Sequence, residues 1–155
     1  RALARCSAVV PFRLGLEFGS EAEVSDLLRL NAAELSSRLR RFRGCVEMGL
    51  KARVAAPTGD ELLGLRTSLD RVRALAKRPA DRRERLARDR HGTILDGCYL
   101  IPRRAVVEFW RALDDIRRAV PEVPLLGSGP WAPYGFCDAP LRRSAGETQM
   151  ARWSR

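Results

Sequence analysis

"CVEMGLKARV", residues 45–54, alternates from end to end: Val46, Met48, Leu50, Ala52 and Val54 share one side, Glu47, Gly49, Lys51 and Arg53 the other. A period of two is that of a strand, because successive side chains leave a pleated backbone on opposite faces. With one face apolar and one polar, this strand packs on a core on one side and meets solvent or a partner on the other.

Elements of alternating type follow it. Leu62, Leu65, Leu69, Val72 and Leu75 or Ala76 recur at helical spacing, with Pro79 as the stop. The charged stretch "ADRRERLARDR" (80–90) places Asp81 and Arg85, Glu84 and Arg88, and Arg85 and Asp89 four apart, which predicts a solvated helix. "TILDGCYLIP" (93–102) is a second apolar strand, with Gly97 at a bulge or a close approach. Pro102 fits the first turn of a further helix, carried by Val106, Phe109 or Trp110, Leu113, Ile116 and Val120 and stopped by Pro121. "VPLLGSG" (123–129) is a short final strand. The order strand, helices, strand, helix, strand fits an open sheet with helices on one face, as in ferredoxin-like α+β folds; a sheet with parallel crossovers is the competing topology.

Upstream, Ser20 and Glu23 form a capping box. Val24, Leu27, Leu28, Leu35, Leu39 and Phe42 then predict one long amphipathic helix over 21–43, ended by Gly44. "SAVVPFRLGLEF" (7–18) reads as an extended segment broken by Pro11. The expected division is 1–44 as the end of an N-terminal module, 45–139 as the α+β domain and 140–155 as a loose tail.

The 155 residues are 45% hydrophobic, enough for a core, and carry a net charge of +10. All 29 basic residues except Lys51 and Lys77 are arginine. Such charge favours acidic partners or nucleic acid, although a uniform arginine excess also follows from genomic base composition. Nucleic acid is disfavoured as a partner because the polar face of the first strand offers no aromatic for base stacking. No apolar run approaches the length of a membrane span. Cys6, Cys45, Cys98 and Cys137 form no C-x-x-C pair, so they read as free thiols of a reducing cytoplasm, and no metal or other cofactor is expected. Nucleotide-binding glycine loops and nucleophile elbows are absent from the sequence. Glu47 and Asp96 read as structural charges, and His91 as surface chemistry, so no catalytic residues are assigned.

"GSGPWAPYGF" (127–136) is the least ordinary stretch. Trp131, Tyr134 and Phe136 stand among Gly127, Gly129, Gly135, Pro130 and Pro133. Proline pre-sets an extended backbone and lowers the entropy lost on ordering. This predicts an aromatic ribbon that seals the sheet or the domain junction, with part of it exposed for docking.

Four stretches in order, "VVPFRLGLEFGSEAEV", "VEMGLKARV", "GCYLIPRRAVVEFWRAL" and "GSGPWAPYGF", resemble the GvpL/GvpF family of gas vesicle proteins over residues 9–136. The resemblance implies a modified ferredoxin-like C-terminal domain after an N-terminal α+β module, here truncated. It further implies a non-enzymatic accessory or structural protein that binds the small hydrophobic shell protein and other accessory proteins at the gas vesicle. The matching positions, taken as motif or partner-binding residues, are Arg13, Gly15 and Phe18; Glu47, Gly49 and Lys51, with Arg53 beside them; Tyr99, Pro102 and Arg103; and Gly129, Pro130, Trp131, Pro133, Tyr134 and Phe136. Met48 departs from a usual tryptophan and Ala132 from a proline. The short interval between Val54 and Ile94 points to the loss of an edge strand.

Overall fold

A computed structural model describes residues 6–12, 17–54, 59–89, 92–137 and 141. Four helices and a four-stranded antiparallel sheet make an α+β fold, in the order α1 (Glu21–Leu30), α2 (Ala32–Phe42), β1 (Cys45–Val54), α3 (Gly59–Leu75), β2 (Arg82–Asp89), β3 (Gly92–Pro102), α4 (Val106–Ala119) and β4 (Leu125–Trp131). The strands lie side by side as β2-β3-β1-β4, and every neighbouring pair is antiparallel.

The alternation of β1 is realised as read. Val46, Met48, Leu50, Ala52 and Val54 are all buried. They join Leu95, Tyr99 and Ile101 of β3 and a layer from α3 and α4 that includes Leu65, Leu69, Val72, Phe109, Leu113 and Ile116. Met48 is wholly enclosed in this inner core. Gly127 lets α4 come close to β4, since a Cβ there would collide with Leu113 and stand 2.6 Å from Trp110.

Two expectations are corrected. The long helix over 21–43 is two helices broken at Asn31. The Asn31 side chain donates to the Leu27 carbonyl at 2.7 Å, competing with the backbone N–H that donates to the same oxygen at 3.2 Å. Asparagine inside a helix offers the chain such a local alternative, and here it ends the run. At its start Ser20 Oγ caps the helix by accepting from the Glu23 N–H, while Glu23 reaches back past Ser20 to accept the Gly19 N–H at 2.8 Å, one residue beyond the N–H of a capping box.

The second correction concerns the charged stretch. Residues 82–89 are strand β2, not a solvated helix. The charges bond across the fold rather than four residues along it. Asp81, buried, accepts Arg41 Nη2 at 2.8 Å, and Glu84 accepts both arms of Arg73 at 2.9 and 2.7 Å. Because such fixed pairs outweigh i,i+4 pairs worth only a few tenths of a kcal/mol, tertiary bonding overrides the helical pattern. The interval between Val54 and Ile94 itself carries an edge strand, β2. His91 and residues 142–155 lie outside the described residues.

Candidate functional site

The outer face of the sheet carries the motif residues of β1. Cα register sets Glu47 beside Trp131 and Leu100, Gly49 beside Ser128 and Cys98, and Lys51 beside Leu126 and Asp96. One end of this face is covered by a small apolar cluster of Phe42 from α2, Leu100 from β3 and Phe136, with Val10, Cys45, Cys98 and Cys137 around it. The remainder carries Lys51 and Arg53, with Lys51 Nζ 3.5 Å from Asp96.

Phe136 arrives through a short 3-10 turn, Tyr134–Phe136, just after β4. Its ring lies beneath the guanidinium groups of Arg41 at 5.7 Å and Arg83 at 5.3 Å, a cation–π arrangement at both sites. Glu47, buried, accepts the Gly135 N–H at 2.6 Å. A Cβ at Gly135 would stand 3.1 Å from that carboxylate, so glycine admits the close approach. Arg38 donates to the Cys137 carbonyl at 3.3 Å. Thus α2, β1 and β2 all hold the segment after β4.

Gly129 supplies the other fixed point. Its φ is +115°, and the Gly129–Pro130 peptide is cis. A Cβ at Gly129 would stand 2.8 Å from the Glu47 carbonyl oxygen, and the register of β1 against β4 shifts between Glu47 and Gly49. Glycine is therefore required on both conformational and steric grounds. Gly49 is constrained as well, since a Cβ there would collide with Ser128 Oγ.

The predicted motif residues consequently divide. Glu47, Gly49, Gly129 and Phe136 lock the segment, and Pro133 is buried with it. Lys51, Pro130, Trp131 and Tyr134 are exposed, and Arg53 is half-buried. Tyr99 belongs to neither group. Its side chain is wholly buried in the inner core, and its hydroxyl donates to Glu84 at 2.8 Å. Pro102 ends β3, and Arg103 is exposed with its N–H donating to the Gly44 carbonyl at 2.8 Å. Phe18 is half-buried, while Arg13 and Gly15 lie outside the described residues. Residues that matter but were missed are Arg41, Arg83 and Asp81. Their sequence signals, Arg41 beside Phe42, Asp81 just after Pro79 and Arg83 within a run of charges, are too common to single them out.

Electrostatics agree with the packing. Burial, reinforced by the Glu47 charge, pushes the Cys98 thiol up to about 11, and burial also raises Cys45. None of the four cysteines is in a disulfide, and these two are poor nucleophiles because little thiolate is present near neutrality. Hydrogen bonding to Arg73, aided by Tyr99 and opposed by burial, holds the Glu84 carboxyl below its ordinary value. Burial, then Glu84, raises the Tyr99 phenol. Among the described residues no group of three or more His, Cys, Asp or Glu side chains is placed to hold a metal ion. No helix among them is long and apolar enough to cross a membrane.

The chain is thus an α+β domain whose antiparallel sheet is closed inside by two helices and outside by a glycine-keyed aromatic latch, with sequence motifs concentrated at the latch. The family model described as gas vesicle synthesis protein GvpL/GvpF matches residues 1–92 and 66–138, and the chain belongs to that family. Gas vesicle protein F1 of Halobacterium salinarum is 30% identical over 131 residues, covering 84% of this chain and 60% of that protein. Gas vesicle protein F2 of the same organism is 30% identical over 134 residues, covering 84% and 59%. The chain thus spans about 60% of the length of these curated relatives. The crystal structure of gas vesicle protein GvpF from Anabaena sp. PCC7120 superposes with a TM-score of 0.75 at 16% identity, covering 90% of this chain and 70% of that one, which establishes a shared fold. GvpL/GvpF is a gas vesicle family and not a known enzyme family.

Proposed function

We propose that the chain is a non-enzymatic accessory of gas vesicle formation that binds the small hydrophobic shell protein during assembly, at the vesicle and within the cytoplasm. Family membership supports the pathway. The observation that carries the binding role is the row of exposed apolar groups along β4 and its latch: Leu126 is 64% exposed, Trp131 56% and Tyr134 52%. Leu126 adjoins Lys51, with which it pairs in register, and Trp131 pairs with Glu47 further along the same strand. Exposed apolar area of this kind supplies affinity for an apolar subunit, while the adjacent cations steer and register it.

The β-α-β-β-α-β order from β1 to β4 supports the ferredoxin-like description of residues 45–139. Residues 1–44 would then be the end of a preceding module, and 140–155 a tail. The outer cluster joins the first two parts, because Phe42 of α2 packs with Leu100 and Phe136.

Replacing Lys51 and Arg53 together by glutamate tests the docking face. Folding should change by no more than about 0.5 kcal/mol, as for most surface substitutions. Co-purification with the shell protein should fall, and in the parent it should weaken as salt rises. A folded double variant that retains shell protein as well as the parent does removes this strand face from the interface.

A further inference from the structure

β2 is an open end of the sheet. Only β3 pairs with it, and among the described residues no strand lies along its other edge. An unpaired edge presents backbone N–H and C=O groups that accept another strand. At position 84 that backbone is accessible: Glu84 is an exposed residue although its side chain is only 23% exposed.

A groove of about 370 Å³ lies between this edge and α3, lined by Leu65, Leu69, Leu86 and Leu95 together with Arg66 and Arg73. Leu65, Leu69 and Leu95 are buried and form its floor, whereas Leu86 is 52% exposed. Its volume falls at the lower end of the roughly 300–1,000 Å³ usual for binding clefts. The two sides of β2 differ in chemistry. Glu84 and Leu86 face the groove, and Arg83 and Arg85, both exposed, alternate with them. A strand laid against β2 would share this pleat, meeting leucines on one face and arginines on the other.

We propose that the β2 edge and its groove bind an extended segment of a partner protein in which acidic and apolar residues alternate, added as a further antiparallel or parallel strand. Edge pairing would supply the backbone bonds, the groove would take the apolar side chains, and Arg85 would select the acidic ones. Charge decides the occupant. Arg82, Arg83, Arg85 and Arg88 outnumber Glu84 and Asp89 in β2, and the chain as a whole carries +10, so a second copy would bring like charges together. Charged residues alone would merely protect the edge from pairing; the leucine-lined groove beside them makes it a site. The β2 edge lies at the opposite side of the sheet from β4 and its exposed apolar row, so the two surfaces are separate.

The probe is a blocked eight-residue peptide alternating glutamate with leucine, titrated into the intact chain and followed by NMR of backbone amides and leucine methyls. Saturable shifts are expected at Arg82–Asp89 amides and at Leu65 and Leu86 methyls, with slowed amide exchange along β2. N-methylation of the peptide nitrogens on one edge should abolish binding, while the same change on the other edge leaves it within about twofold. Arg85→Glu and Leu86→Ser, each with an unchanged melting curve, should each weaken binding about tenfold. Lysine in place of the peptide glutamates should do the same. The methylated peptides give their answer on the unmodified chain whether or not a variant folds. Absence of saturation by about 1 mM, indifference to N-methylation on both edges, or shifts confined to another surface would overturn the proposal. So would sedimentation showing that the chain dimerises through β2.

Discussion

The inner face of the sheet carries a continuous apolar layer closed by two helices, while the outer face carries a cluster of only a few buried residues held in place by charge. Met48, Leu50, Tyr99, Ile101, Phe109, Leu113 and Ile116 meet on the inside with almost no exposed area. Outside, Phe42, Leu100 and Phe136 are the buried hydrophobic residues, and Arg41, Arg83 and Glu47 fix the segment that completes them. The inner face thus depends on area removed from water, and the outer one on a few directed contacts. A face of the second kind can leave apolar groups such as Trp131 exposed beside it without threatening the fold.

The largest break in this comparison should come from the inner face. Tyr99→Ala removes a fully buried ring and also leaves the Glu84 carboxylate without its phenolic donor. The cost should be about 4 kcal/mol or more, in line with other buried aromatics. Urea unfolding with an unchanged slope checks it. A loss under about 1 kcal/mol would mean that the inner layer is not the principal source of stability.

A pair of aromatics in one short segment sharpens the contrast. Phe136→Ala should cost about 3 kcal/mol, because it empties the outer cluster and deprives two guanidinium groups of their ring. Trp131→Ala should cost no more than about 1 kcal/mol, since that ring is already more than half in solvent. Equal costs in thermal or urea melts would show that the segment acts as a single sealed ribbon, and would take Trp131 away from any docking surface.

Much of the inner face was legible in the sequence because its information is local. The unbroken alternation of residues 45–54 and the helical spacing from Val106 to Val120 each required a core on one side. The outer face was legible only as a motif. Glu47 looked like an ordinary strand carboxylate, and its bond to the Gly135 N–H joins positions far apart in the chain. The charges of 80–90 were misread for the same reason, since their real partners are Arg41 and Arg73 rather than one another. The break at Asn31 had a local signal, a side chain able to take the Leu27 carbonyl, which the strong apolar spacing on both sides obscured.

The smallest effect concerns the ionic network around Glu84 on the inner face. Glu84 accepts both arms of Arg73 and the Tyr99 hydroxyl, and this bonding holds its carboxyl pKa down in the folded chain. A carboxylate of depressed pKa adds stability that is fully present above its unfolded value, about 4.3. That increment is lost as pH falls from there through the lower folded value, because below it both states bind the proton. Glu84→Gln cannot ionise, so the difference in unfolding free energy between parent and variant should be constant from pH 7 to about pH 5 and then shrink with further acidification. Other carboxylates titrate in both proteins and largely cancel from the difference, provided they do not contact position 84. Chemical denaturation at half-unit steps down to about pH 3 measures it. A difference that grows below pH 5 would reverse the sign, showing that burial, rather than Arg73, governs this carboxyl. The inner face would then carry an uncompensated charge, and the clean division between an apolar side and an ionic side would fail at β2.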